Sequence, residues 1–171
     1  MENNNLVSKI LNTGYESKYS NNSLITPIFR TSNFEFTSAN EGEKSFELAY
    51  HLREKDENET AQFIYSRVNN PNMEVVENKL SVLHNTEESS IFSSGMSAIS
   101  TSCLTFLKSN DTILYTTPIY GGTNFLFENI LPKYNITCCP FNYDITNEKF
   151  LYKLKEYKNI KMIFIETPNG F

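Results

Sequence analysis

From residue 90 onward, the apolar positions of the chain alternate between two spacings. Short apolar runs of strand length separate stretches in which apolar residues recur every three or four positions. The run Ser90–Ser93 reads as a strand, and Met96, Ile99, Cys103, Leu104, Phe106 and Leu107 then mark a helix over Met96–Lys108. "TILYTT" (112–117) is the next strand, and Gly121-Gly122 turns the chain into a helix over "TNFLFENILPKY" (123–134). "ITCCPF" (136–141) is a third strand. Thr146 caps a helix over "NEKFLYKLKEYK" (147–158), and "IKMIFIE" (160–166) is a fourth strand. Strand and helix alternating at this spacing predict an α/β fold with a mostly parallel sheet covered by helices. Ligands on such sheets bind at the carboxyl ends of the strands, where Ser93–Met96, Pro118–Thr123 and Glu166–Gly170 would meet.

The first third lacks this order. "TPIFRTSNFEF" (26–36) reads as extended, "SFELAYHLREK" (45–55) as a short helix and "DENET" (56–60) as a charged loop. "NNPNMEVVENKLSVLHN" (69–85) is a helix with Pro71 in its first turn and an apolar stripe of Val75, Val76, Leu80 and Leu83. No internal repeat is visible, and the abundance of asparagine reads as a bias of composition.

Composition narrows the function classes. A chain of 171 residues with 39% hydrophobic and 13% aromatic content can bury a core, and one domain is the default count. The net charge of −5 gives no electrostatic case for nucleic acid, which would want a basic face. An anionic small molecule stays open, since local donors bind it against the global charge. No apolar run approaches the roughly 20 residues that span a bilayer. The polar, Asn-rich start has no apolar signal-peptide core, so no membrane association is expected. Cys103, Cys138 and Cys139 are an odd set without C-x-x-C spacing, which suggests neither disulfides nor a zinc site and fits a reducing, cytoplasmic setting. Cys138 and Cys139 read as buried thiols. His51 and His84 have no partner at ligand or triad spacing, and no metal is implied.

Four places could carry chemistry. Ser94-Gly95-Met96 opens a helix directly after an apolar run; its free amides at the positive end of the helix dipole can hold an anion, and the same residues also serve as a plain capped turn. Tyr120, followed by Gly121 and Gly122, could lie flat over a planar ligand or simply pack beside a turn. Tyr65 and Arg67 share a side if their stretch is extended, as a phosphate clamp or as exposed residues. Glu166 and Asn169 could hydrogen-bond a ligand at the sheet's edge. A P-loop, a dinucleotide-binding G-x-G-x-x-G and a nucleophile elbow are all absent.

Taken in order, "TPIFRTSNFEF", "YSRVNNPN", "SSGMSAIS", "PIYGGT" and "IFIETP" resemble the Cys/Met-metabolism family of pyridoxal-phosphate (PLP) enzymes over about residues 24–170. That family comprises cystathionine γ-synthases, cystathionine lyases, methionine γ-lyases and O-acylhomoserine sulfhydrylases. The resemblance implies the large domain of the PLP-dependent transferase fold, present in part. Residues 1–60 would be an N-terminal arm with a short helix, and 61–171 the N-terminal part of the cofactor-binding domain. It further implies that Ser94, Gly95 and Met96 hold the cofactor phosphate and that Tyr120 stacks on its ring close to the reacting amino acid. Tyr65 and Arg67 would reach the phosphate of a neighbouring subunit's cofactor, which makes a homodimer or tetramer the expected assembly. The substrate would be a sulfur amino acid or homoserine ester, undergoing γ-replacement or γ-elimination through the cofactor's electron sink. The last motif departs from the family's Glu-Ser/Thr-Pro-x-Asn-Pro: the asparagine near the cofactor's phenolic oxygen is displaced to Asn169, and Gly170 stands in its usual place. The family's Schiff-base lysine lies beyond this motif, so the chain is expected to be an N-terminal portion that is inactive alone. The alternative is a non-catalytic remnant or the partner chain of a split enzyme.

Overall fold

The structure is a computed structural model that describes residues 2–168 except 57, 58, 60 and 61. Its backbone divides into two compact units, Met1–Ile91 and Phe92–Phe171.

Three helices build the first unit: α1 (Glu2–Asn12), α2 (Ala39–Ala49) and α3 (Pro71–His84). α3 matches the sequence reading because its signals are strong. The Asn70 side chain accepts from the Asn72 N–H at 2.9 Å, Pro71 sits in the first turn, and Asn85 ends the helix in the left-handed region at φ 52°. Helix α1 has no counterpart in the sequence reading. It packs along α3, and Gly14 (φ 83°) follows it so closely that an added Cβ would lie 3.0 Å from the Val75 carbonyl oxygen.

The short helix read at 45–55 instead starts at Ala39. Ser38 caps it by accepting from the Glu41 N–H at 3.2 Å, while the Glu41 carboxylate accepts from the Thr37 N–H at 2.6 Å. This Ser-x-x-Glu arrangement is a cap signal written in the sequence. Residues 26–36, read as extended, form no helix and bend at Ser32. Their backbone is held by Asn72, whose side chain bonds both the N–H (3.0 Å) and the carbonyl (2.8 Å) of Phe29, and further on by a bridge between Asn33 and Tyr65.

Arg53 closes the loop after α2 by donating to the Glu59 carboxylate at 2.7 Å and to Glu47 at 3.2 Å. The Arg53 guanidinium holds the Glu59 carboxyl down at about 2. A carboxyl depressed in the folded state adds stability above its unfolded pKa and loses that contribution as the pH falls through the folded one. The unit should therefore lose stability between about pH 4.5 and about pH 2. Acid titration of unfolding followed by circular dichroism should show a shallower fall over this window in Glu59→Gln.

The second unit is a three-stranded parallel sheet in the order β2-β1-β3, from β1 (Thr112–Thr117), β2 (Thr137–Asn142) and β3 (Ile160–Phe164). The α/β class and parallel sheet match the expectation. β1 is buried on both faces, so its central Ile113–Tyr115 run is apolar without alternation. Ile113 and Tyr115 face one cluster with Cys103 of α4 (Gly95–Phe106), with Leu107 just after it, and with Phe127 and Leu131. Leu114 joins Cys139 and Phe141 in a second cluster, against Phe150, Leu154 and Tyr157 at α6 (Asn147–Glu156). Cys103 and Cys139 are buried and Cys138 is partly so; burial pushes the Cys138 thiol up to about 12, which makes it a poor nucleophile.

Three elements depart from the sequence reading. No strand forms at Ser90–Ser93; the Ile91 N–H is taken by the Glu77 carboxylate at 3.0 Å instead of a neighbouring strand. The helix read over 123–134 is α5 (Gly121–Phe125), then a π turn (Leu126–Ile130) and a 3-10 turn (Leu131–Tyr134). Pro132 lacks an N–H and crowds the preceding turn, so a regular α-helix cannot run through it. Thr146 occupies the cap position of α6, but its hydroxyl makes no cap bond.

The asparagine abundance also has a local use. Among the described residues, every non-glycine with positive φ except His51 is an asparagine. Asn110, Asn135 and Asn159 do this one or two residues before β1, β2 and β3. Asparagine tolerates the left-handed region and here takes the place of glycine.

Candidate functional site

The first turn of α4 opens at Gly95, at the helix entrance that the sequence singles out for an anion. The Ser94 hydroxyl accepts from the Ser97 N–H at 3.0 Å, and the Ser97 hydroxyl accepts from the Ser94 N–H at 3.1 Å, forming a reciprocal cap. Ser97 was missed in the sequence because serine at this position is a weaker signal than Glu or Gln. The cap leaves the N–H groups of Gly95 and Met96 as the first donors of a twelve-residue helix, with no intrahelical acceptor. A Cβ added at Gly95 would meet no atom within 4 Å, so the space beside these donors is open.

Tyr120 ends the segment after β1 and is 59% exposed. Its ring lies against Gly122, where an added Cβ would stand 2.7 Å from the ring edge and 3.0 Å from the Met96 sulfur. Thr123, fully buried, directs its hydroxyl at the same sulfur, 3.8 Å away. Gly122 is thus the point at which the α4 entrance and the Tyr120 ring come together. A side chain there must displace the far end of the tyrosine, which is flexible. Gly122→Ala is therefore expected to leave the urea-unfolding midpoint within about 0.5 kcal/mol of the parent. The same variant should shift the near-ultraviolet dichroism of Tyr120, read as a difference from Tyr120→Phe.

Glu166, read from sequence as a ligand-facing group, has another role. Its carboxylate accepts the Tyr120 N–H at 3.2 and 3.3 Å, and its own N–H donates to the Thr116 hydroxyl at 3.2 Å. Asn169 lies outside the described residues.

Tyr65 and Arg67 belong to the first unit and are both exposed. The Arg67 guanidinium carbon lies 5.6 Å from the centroid of the Tyr65 ring. Their stretch is not extended: the Tyr65 carbonyl accepts from the Val68 N–H (2.7 Å) and the Asn69 N–H (3.0 Å), so a turn brings the pair together. The Asn69 side chain fastens this turn to the Ile64 N–H at 2.9 Å and the Gln62 carbonyl at 3.0 Å. Among the described residues, no three His, Cys, Asp or Glu side chains group as metal ligands, and no helix is long and apolar enough to cross a membrane.

Comparison with known proteins gives one consistent result. A model of the family described as Cys/Met metabolism PLP-dependent enzyme matches residues 7–170. A cystathionine gamma-synthase/O-acetylhomoserine (thiol)-lyase of Bacillus subtilis is 38% identical over 123 residues, which is 72% of this chain and 32% of that protein. An L-methionine gamma-lyase of Fusobacterium nucleatum is 33% identical over 145 residues, 85% of this chain and 33% of that protein. Among solved structures, an O-acetylhomoserine (thiol)-lyase of Campylobacter jejuni that carries a pyridoxyl-lysine monophosphate superposes with a TM-score of 0.79 at 24% identity, covering 96% of this chain and 37% of that one. The MetB protein of Corynebacterium glutamicum superposes with a TM-score of 0.75 at 24% identity, covering 96% of this chain and 38% of that one. The chain spans about a third of the length of these relatives.

Proposed function

The chain belongs to the Cys/Met-metabolism family of PLP-dependent enzymes, and from that premise we propose that its second unit seats pyridoxal phosphate for trans-sulfuration chemistry. The residues fit the group at both of its ends. Gly95 and Met96 present unpaired amides beside open space, which suits a phosphate dianion at a helix N-terminus. The exposed Tyr120 ring offers a flat face to a pyridine ring, and its packing against Gly122 beside Met96 puts that face next to the phosphate seat. This shared position is the observation that carries the reading.

When bound, pyridoxal phosphate supplies an electron sink for negative charge at the substrate's α carbon. The chain's own residues bind and orient. The Gly95 and Met96 amides fix the phosphate, and Ser94 shapes their turn through its bond with Ser97 rather than by offering a free hydroxyl. Tyr120 covers one face of the pyridine ring, keeps water from it and sets its phenol beside the amino-acid substrate. Tyr65 and Arg67, held as a pair by their turn, reach the phosphate in a second copy of the chain, so the working assembly is a homodimer or higher. The whole protein acts on a sulfur amino acid or homoserine ester by γ-replacement or γ-elimination, in keeping with the names of its relatives.

Calorimetric titration with pyridoxine phosphate tests the seat. This compound has the ring and the phosphate but no aldehyde, so surface lysines cannot capture it. The reading expects one saturable site per chain, with affinity well above that for inorganic phosphate. Equal affinity for the two compounds would overturn it.

A further inference from the structure

We propose that Glu166 is a positioning residue for Tyr120, setting the stacking ring through the backbone. This rests on the reading of Tyr120 as the ring-stacking group. Tyr120 stands at the N-terminus of α5 without any side-chain cap bond; its carbonyl accepts the Asn124 N–H at 2.9 Å, while its own N–H needs a partner from outside the helix. The restraint comes from 46 residues further along the chain. Both oxygens of Glu166 accept the Tyr120 N–H, at 3.2 and 3.3 Å, and an ionised acceptor makes this stronger than a neutral pair. Glu166 is in turn placed by its N–H on the hydroxyl of Thr116, which is 6% exposed at the end of β1. The end of β1 thus holds the Glu166 backbone, and the Glu166 carboxylate holds the backbone that leaves β1.

Such a residue leaves the phosphate seat alone and acts only on the ring's contribution to binding. Ligand affinity is therefore measured with two probes, pyridoxine phosphate and inorganic phosphate, on the full chain and three variants. Tyr120→Ala should weaken pyridoxine phosphate about tenfold and Glu166→Ala about fivefold, with inorganic phosphate unchanged in both. Glu166→Gln keeps a carbonyl acceptor and should stay within about twofold of the parent. Amide hydrogen exchange of the parent chain gives a readout that does not depend on any variant folding, and the Tyr120 N–H should be protected. Exchange of that N–H at the free-peptide rate would overturn the proposal. So would a Glu166→Ala that binds pyridoxine phosphate as the parent does while Tyr120→Ala does not, or a Glu166→Gln as weak as Tyr120→Ala. A silent Tyr120→Ala would instead sink the stacking reading, and this inference with it.

Discussion

Gly95→Asp is expected to weaken pyridoxine phosphate binding about 100-fold while the thermal midpoint of the chain does not fall. The two effects have separate causes. The open space at Gly95 accepts a side chain without a clash, so the substitution carries no packing cost. A carboxylate in the first turn of α4 also suits the helix dipole, and aspartate replaces the least favourable residue for a helix after proline; each contributes a few tenths to about 1 kcal/mol. The same charge stands where a phosphate would sit. Two like charges about 4 Å apart near a protein surface repel by up to about 4 kcal/mol, ample for the expected loss. Gly95→Ala separates charge from bulk and should cost less than Gly95→Asp. Calorimetry and a thermal melt on the same samples check both halves. A variant that binds normally would remove the helix entrance from the site.

Phe127→Ala should cost about 3–5 kcal/mol of unfolding free energy, the largest stability effect expected in the second unit. Phe127 is fully buried and makes edge-to-face contacts with Tyr115 (centroids 4.9 Å apart) and Phe164 (5.3 Å), joining β1 and β3 through one ring. Truncation leaves a cavity that two neighbouring rings cannot fill without leaving their own contacts. Phe125, two residues earlier and 59% exposed, is the control, with an expected cost below about 1 kcal/mol. Urea unfolding of both variants measures the difference. Domains of ordinary stability have about 5–15 kcal/mol in all, so Phe127→Ala should shift the midpoint plainly. A cost below about 1 kcal/mol would mean that the core is not centred on this ring.

How much of this was legible in the sequence depended on whether the cause was local. β1 declared itself through the unalternating Ile113–Tyr115 run between threonines, because both of its faces are buried, and α3 did so through Asn70 and Pro71, which act within one turn. α1 escaped notice because Asn3, Asn4 and Asn5 are poor helix formers, although Leu6, Val7, Ile10 and Leu11 keep helical spacing. Its stability comes from packing on α3, which periodicity in a polar stretch does not announce. Ser90–Ser93 looked like a strand by its apolar residues, but Glu77, a partner from another element, claims its amide.

The site was legible in its groups and less so in their roles. Gly95, Met96 and Tyr120 were singled out from residue type and position, because helix entrances and strand ends are local features, and the Met96 sulfur and the Tyr120 ring do both lie at Gly122. Ser94 stands at the turn as read, and its hydroxyl also accepts the Ser97 N–H, a bond that the sequence reading did not include. Tyr65 and Arg67 do lie together, through a turn rather than strand alternation. Glu166 was read only as a group that could bond a ligand, and no spacing rule connects it with the amide 46 residues away that it accepts.

The central claim is that the Gly95 and Met96 amides hold the phosphate of a pyridoxal cofactor. Proton–nitrogen amide correlation spectra of the chain, recorded as pyridoxine phosphate is added, test it most directly. The account predicts that the Gly95 and Met96 amide signals move furthest and saturate together, with Gly122 following as the Tyr120 ring is covered. Gly95 and Met96 signals that stay fixed while the ligand saturates elsewhere on the chain would contradict it.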